Sequence, residues 1–166
     1  MEYICSYLSP LGEIILRSDG EVLTGLWFRN SHDDIKNVGE YVKGDLKIFD
    51  DTKRWLDIYF SGKNPDFTPK YCVQNLNNFK KKVYKIMERI PYGETLTYGD
   101  IAREIEKIDN KKMSAQAVGG AVGWNPICII IPCHRVLGKD GKLTGYGGGI
   151  EKKIALLDLE KIPYKS

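Results

Sequence analysis

Along the first thirty positions apolar residues come in short bursts, and further on they recur every third or fourth position. YICSYL, EIILRS and VLTGLWF are rich in β-branched and aromatic residues, and Pro10-Leu11-Gly12 and Asp19-Gly20 punctuate them as turns. This pattern predicts a β-meander. Trp55, Leu56, Tyr59 and Phe60 then repeat at helical spacing, and Asp51-Thr52 just before them can cap that helix. Gly62 to Pro69 has the composition of a linker, which puts a domain boundary near residues 62–78.

The second half reads mainly as helices, so the fold class is α+β. Phe79, Val83, Tyr84, Ile86, Met87 and Ile90 form one apolar face, with Lys80, Lys81, Lys82 and Lys85 on the other, and Pro91-Tyr92-Gly93 ends the helix. Thr97-Tyr98-Gly99-Asp100 resembles a capping box, and Ile101, Ala102 and Ile105 continue a helical stripe behind it. Ser114 can cap a further short helix, Ala115 to Val122. Two short helices joined by a polar turn are a helix-turn-helix candidate, a weak signal alone. Gly119-Gly120 costs roughly 1 kcal/mol per glycine inside that helix, which points to close approach of another backbone, protein or nucleic acid. Cys128-Ile129-Ile130-Ile131 reads as a short buried strand stopped by Pro132.

Composition adds boundaries. The 166 residues leave room for one sizeable core or two small ones. No apolar run approaches the ~20 residues that span a bilayer. The N-terminus lacks a basic stretch followed by a long apolar one, so no secretory signal is read and no membrane partner is expected. The default is a reducing intracellular setting: a prokaryotic cytoplasm, or a nucleus in a eukaryote. Cys5, Cys72, Cys128 and Cys133 fit no zinc-ligand spacing, and only His32 and His134 could assist them, so neither metal nor disulfide framework is expected. Charge is uneven. Residues 1–78 carry nine Lys/Arg against twelve Asp/Glu, and residues 79–166 carry sixteen against ten. A basic second half suits a polyanionic partner, although a solvated basic surface explains it equally well.

The chemistry concentrates at Pro132-Cys133-His134-Arg135-Val136. A free cysteine is usually a small buried hydrophobe, which is the reading for Cys5, Cys72 and Cys128. Cys133 differs, because an imidazole and a guanidinium follow at once and can favour the nucleophilic thiolate. Neighbours on an extended strand face opposite ways, so a Cys-His contact requires a bend just after Pro132.

Ile131 to Val136 resembles the signature of the O6-alkylguanine-DNA alkyltransferases. The resemblance extends through Pro91 to Tyr98, Ala117 to Ala121, Asn125-Pro126, Gly145 to Gly149 and Leu156 to Glu160, in order from about residue 79 to 160. It implies an N-terminal ribonuclease H-like cap domain of β-sheet and helix (1–74), which corresponds only loosely. It also implies a C-terminal winged-helix-like DNA-binding and alkyl-acceptor domain (75–166). The implied activity is stoichiometric, irreversible transfer of an alkyl group from O6-alkylguanine in duplex DNA to Cys133, by a monomer without a cofactor.

Residue by residue, the resemblance makes Cys133 the alkyl acceptor, His134 the base and Glu160 the carboxylate that orients it. Asn125 would brace the turn ahead of the acceptor. Tyr98 would crowd the target phosphate and protonate the leaving guanine. Val136, Gly147 and Lys153 would line the substrate, with the Gly147 N–H facing O6 and Lys153 near the thiol. Ser114, Gln116, Ala117, Gly120 and Arg135 would meet DNA. One departure stands out: relatives commonly place an arginine where this chain has Gln116, to fill the gap left by the flipped base, and Trp124 is a candidate to compensate. Three rival readings compete with this one, and Cys133 and the chain length argue against the first two. A non-catalytic damage-binding protein would carry tryptophan in place of Cys133. A thiol-sensing winged-helix regulator needs further domains. A Cys-His hydrolase would turn over many times.

Overall fold

The computed structural model describes the backbone of residues 1–166 and the side chains of all but Lys36. The chain divides into two compact units, Met1–Gln74 with Pro126–Cys128, and Asn75–Asn125 with Ile129–Ser166. A single cut after residue 74 thus does not provide for Pro126–Cys128, which belong to the first unit.

In the first unit the meander is present as β1 (Glu2–Ser9), β2 (Gly12–Ser18) and β3 (Leu23–Phe28), antiparallel in sequence order. Helix α1 (Asp33–Lys36) follows, and β4 (Tyr41–Lys43) then adds to the far edge of β1 in parallel, giving the order β3-β2-β1-β4. No sequence pattern announced β4, because three half-exposed residues carry too little periodicity to read. Ile14, Leu16, Leu26 and Phe28 are fully buried, as are Leu56 and Tyr59 of helix α2 (Lys47–Phe60), which packs on β1 and β2. Helix α2 starts a turn earlier than expected. Ile48 and Phe49 are buried and extend the apolar stripe backwards, so Asp51 and Thr52 lie inside the helix, not at its cap. The Thr52 hydroxyl donates to the Ile48 carbonyl at 2.7 Å, one turn back.

The second unit packs α3 (Asn78–Glu88), α4 (Tyr98–Asp109) and α5 (Ala115–Gly123) on one another. Their shared core is Val83, Met87, Ile101, Ile105 and Val118, all at zero exposure. The Tyr84 hydroxyl closes the α3–α5 contact by donating to the Ala121 carbonyl at 3.1 Å. Local signals set the helix starts. Thr97 and Asp100 form a reciprocal capping box, and the Ser114 hydroxyl accepts from the Ala117 N–H. A short parallel pair, β5 (Leu96–Thr97) with β6 (Val136–Leu137), places the start of α4 beside the residues that follow Cys133. Helix α6 (Ile150–Leu159) packs against the turn at Cys133–Arg135 and ends at Glu160.

The Cys128–Ile131 run is not a strand. It is a buried turn in which Ile129 takes φ 69°, a left-handed value that a β-branched side chain adopts only under constraint. An apolar run of this length reports burial but not backbone shape, so the pattern alone misled.

Candidate active site

The bend required after Pro132 is there. Pro132 (φ −82°, ψ 67°) is the centre of an inverse γ-turn, with the Cys133 N–H donating to the Ile131 carbonyl at 2.8 Å. A single 3-10 turn, Cys133–Arg135, follows directly. The proline ring fixes φ where this turn needs it. The buried side chain of Asn125 locks the same carbonyl from the other side, its amide donating to Ile131 O at 2.8 Å.

All three residues of the 3-10 turn are buried, Cys133 at 6% exposure and His134 at zero. His134 Nε2 meets Glu160 Oε2 at 2.6 Å, while Glu160 Oε1 accepts from Arg135 Nε at 2.8 Å and from the Gly93 N–H at 3.0 Å. Gly93 sits at φ 81°, which lets the turn after Pro91-Tyr92 present its N–H to the carboxylate. Burial pushes the Glu160 carboxyl up, but the His134 and Arg135 hydrogen bonds and charges outweigh it and hold the group below its usual range. Burial pushes His134 below its ordinary value, against the opposing pull of Glu160. A neutral imidazole whose Nε2–H donates to an ionised Glu160 has its basic lone pair on Nδ1.

The Arg135 side chain, expected to meet DNA, is turned inward. Its side chain is 10% exposed, and the guanidinium is paired with Glu160, bonded through Nη1 to the Ile90 carbonyl at 2.8 Å, and set 5.7 Å from the Tyr92 ring centroid. Once Glu160 and His134 are buried, the cluster needs a cation to keep the carboxylate charged, and Arg135 supplies it. Sequence position beside Cys133 could not reveal which way the side chain turns.

Around the thiol, Tyr98 and Lys153 both lie close enough to feel charge on Cys133. Lys153 is fully buried, its ammonium donating to the Val136 carbonyl at 2.8 Å and to Thr144 Oγ1 at 3.0 Å. Burial pushes it down to about 8. The Tyr98 hydroxyl lies 2.8 Å from the same Thr144 oxygen, and burial holds the phenol above its ordinary value. Thr144 had no sequence signal of its own, standing one residue before the Gly145 to Gly149 match. Val136 is fully buried and reaches the site through its carbonyl, and Gly147 is half-buried on the following loop.

Gln116, Ala117 and Gly120 are exposed on α5, on the side away from Val118, Ala121 and Val122, and Ser114 is exposed at its cap. Gly119 faces the Tyr98 ring, where an added Cβ would sit at 3.8 Å, and Gly120 faces open space. Protein packing therefore does not account for Gly120. An open cavity of about 1050 Å³ is lined by Tyr98, Gln116, Gly119 and Gly138–Asp140, among others. Trp124 is committed to α3, with the Lys80 ammonium 3.8 Å from its ring centroid. Among the described residues, no cluster of His, Cys, Asp or Glu could hold a metal ion.

Two family models match the chain: the 6-O-methylguanine DNA methyltransferase ribonuclease-like domain over residues 3–70, and the DNA-binding domain of the same family over 78–162. The chain belongs to the 6-O-methylguanine DNA methyltransferase family. It is 41% identical over 162 residues to the methylated-DNA–protein-cysteine methyltransferase of Haemophilus influenzae, covering 98% of this chain and 88% of that one. The Methanosarcina acetivorans protein of that name is 41% identical over 158 residues, 95% and 97% of the two chains. Among solved structures, Mycobacterium tuberculosis OGT in complex with DNA superposes with a TM-score of 0.83 at 40% identity, covering 96% of this chain and 92% of the other.

Proposed function

We propose that this protein is a methylated-DNA–protein-cysteine methyltransferase that repairs duplex DNA by taking the alkyl group of O6-alkylguanine onto Cys133, once per molecule. The observation that carries the assignment of the acceptor is the 3-10 turn itself, which sets Cys133 beside a neutral His134 bonded to an ionised Glu160. His134 takes the thiol proton. The sulfur attacks the alkyl carbon in a direct displacement, the carbon–O6 bond breaks with its electron pair going to the base, and Tyr98 supplies a proton to the departing guanine. The thioether product has no easy reversal, so the reaction is stoichiometric.

A base inside a duplex is out of reach of a buried thiol, so the damaged guanine must leave the stack at a cost of a few kcal/mol. The exposed face of α5 and its cap, with Ser114, Gln116, Ala117 and Gly120, is the surface offered to the duplex. Incubation with a duplex containing O6-methylguanine should add ~14 Da per molecule at the acceptor thiol. Peptide mapping should place that mass on Cys133. Repeated turnover, or the label on Cys5, Cys72 or Cys128, would overturn the assignment.

A further inference from the structure

Thr144 bonds both Lys153 and Tyr98, and chemistry fixes the polarity of the first of these hydrogen bonds. A protonated lysine can only donate, so the 3.0 Å contact makes Thr144 Oγ1 the acceptor from Lys153. The hydroxyl has a single proton of its own, and the Tyr98 oxygen lies 2.8 Å away. With Lys153 donating to Thr144 and Thr144 donating to Tyr98, the phenol proton of Tyr98 is not spent on the protein. It is left for a bound base. The reverse polarity would consume that proton inside the protein and leave Tyr98 unable to give it to a base.

The side chain is also held in place. The Thr144 methyl is so close to Gly138 that a Cβ added there would lie 3.1 Å from it. A β-branched side chain with one methyl pinned has little rotamer freedom, so its hydroxyl stays between the lysine and the tyrosine.

We propose that Thr144 is a positioning residue for alkyl transfer, relaying a proton from Lys153 to Tyr98 as Tyr98 protonates the departing guanine. The proposal rests on Tyr98 as that proton donor and Cys133 as the acceptor. The balance closes. The thiol proton goes to His134, and the S–C bond forms as the C–O6 bond breaks. The Tyr98 proton goes to the guanine, the Thr144 proton follows to Tyr98, and a Lys153 proton replaces it on Thr144. The net change is one positive charge moved from Lys153 to His134, with a thioether and a neutral guanine formed.

The test uses the full chain and two electrophiles. A duplex carrying O6-methylguanine needs a proton on its leaving group, whereas iodoacetamide expels iodide and needs none. Thr144→Val keeps the pinned methyl and removes the hydroxyl, and Thr144→Ser keeps the hydroxyl. Thr144→Val should slow single-turnover methyl transfer by roughly tenfold or more, the scale of a weakened general acid. Carboxamidomethylation of Cys133, followed by peptide mapping, should change by less than about twofold, since the thiolate itself is untouched. Thr144→Ser should restore most of the rate, and Thr144→Val should add nothing on a Tyr98→Phe background. If the valine does not fold, Thr144→Ala removes the same hydroxyl without demanding space. Parent-like methyl transfer in the variant lacking the hydroxyl would overturn the relay. So would equal slowing of both reactions, or an undiminished effect in Tyr98→Phe. A parent protein that transfers no methyl group to Cys133 would overturn the functional reading first, and the relay with it.

Discussion

Each unit of this protein buries a cysteine, and each holds an arginine against a carboxylate, yet only one assembles them into a reactive site. In the first unit Arg17 lies 3.8 Å from Glu2 and donates to Thr24 and Asn37, while Cys128 is elsewhere, its thiol 3.5 Å from the buried Asp33 carboxylate. In the second unit Arg135, Glu160 and His134 form one cluster adjacent to Cys133, with Lys153 and Tyr98 near enough to sense its charge. Cys128 and Cys133 are five positions apart and almost equally inaccessible, at 2% and 6% exposure. Burial therefore does not distinguish them. Their neighbours do: the Cys128 thiol donates to a carboxylate, whereas Cys133 directly precedes the histidine of the Glu160–Arg135 cluster.

The comparison breaks most easily at the sulfur atoms. Cys133→Ala should abolish methyl transfer, by at least about a thousandfold, because no other group supplies the nucleophile. Cys128→Ser should leave the transfer rate within about twofold, with its cost confined to the packing of the first unit. Single-turnover transfer from a radiolabelled duplex measures both. A surviving signal in Cys133→Ala would mean that the two cysteines are interchangeable and that environment is not what selects between them.

The carboxylates give the next contrast. Glu160→Gln should slow transfer by roughly ten- to a hundredfold, because the loss of the charge that raises the His134 pKa weakens the base. It should also destabilise the fold by about 3–5 kcal/mol, since Arg135 would be left as a buried cation without its partner. Glu2→Gln, at a more open pair, should cost ~1 kcal/mol or less and leave the rate alone. The pH dependence has a definite sign. The Glu160 carboxyl is held below its usual 4.5 in the folded chain, so the folded state binds fewer protons than the unfolded one in that range. Its stabilisation is complete above the unfolded pKa and is lost as pH falls through the folded one. Acid unfolding below about pH 4.5 should therefore be shallower in Glu160→Gln than in the parent. Parallel acid limbs would detach Glu160 from the cluster.

What could be read in the sequence divides along the same line. Signals carried within one turn of chain were legible: the Thr97–Asp100 capping box, the Ser114 cap and the need for a bend after Pro132. Cys133 and His134 stood out because they are adjacent. Glu160 meets His134 across 26 positions, and only the family resemblance brought it into the site. Arg135 reaches Ile90 across 45 positions, and nothing local distinguishes an arginine turned inward from one offered to phosphate. Thr144 bonds Tyr98 across 46 positions by the same kind of long-range contact. The left-handed Ile129 was hidden for another reason, since its side chain belongs in an apolar run whatever the backbone does.

The smallest expected effect concerns Gln116, exposed on α5 beside the cavity that Tyr98 lines. A side chain that enters the stack when a guanine leaves it stabilises the extrahelical state, whose formation costs a few kcal/mol. Glutamine can hydrogen-bond the orphaned cytosine but brings neither charge nor a stacking plane, and arginine brings both. Gln116→Arg should therefore tighten duplex binding by several-fold and steepen its salt dependence by about one counterion. It should speed transfer from the duplex by a similar factor, and Gln116→Ala should slow it. Free O6-benzylguanine needs no flipping, so its rate with Cys133 should stay within about twofold in both variants. That restriction is what ties the effect to the α5 surface and not to the buried cluster, whose variants slow both substrates. Equal changes on duplex and free base would place Gln116 among the residues that merely support the helix.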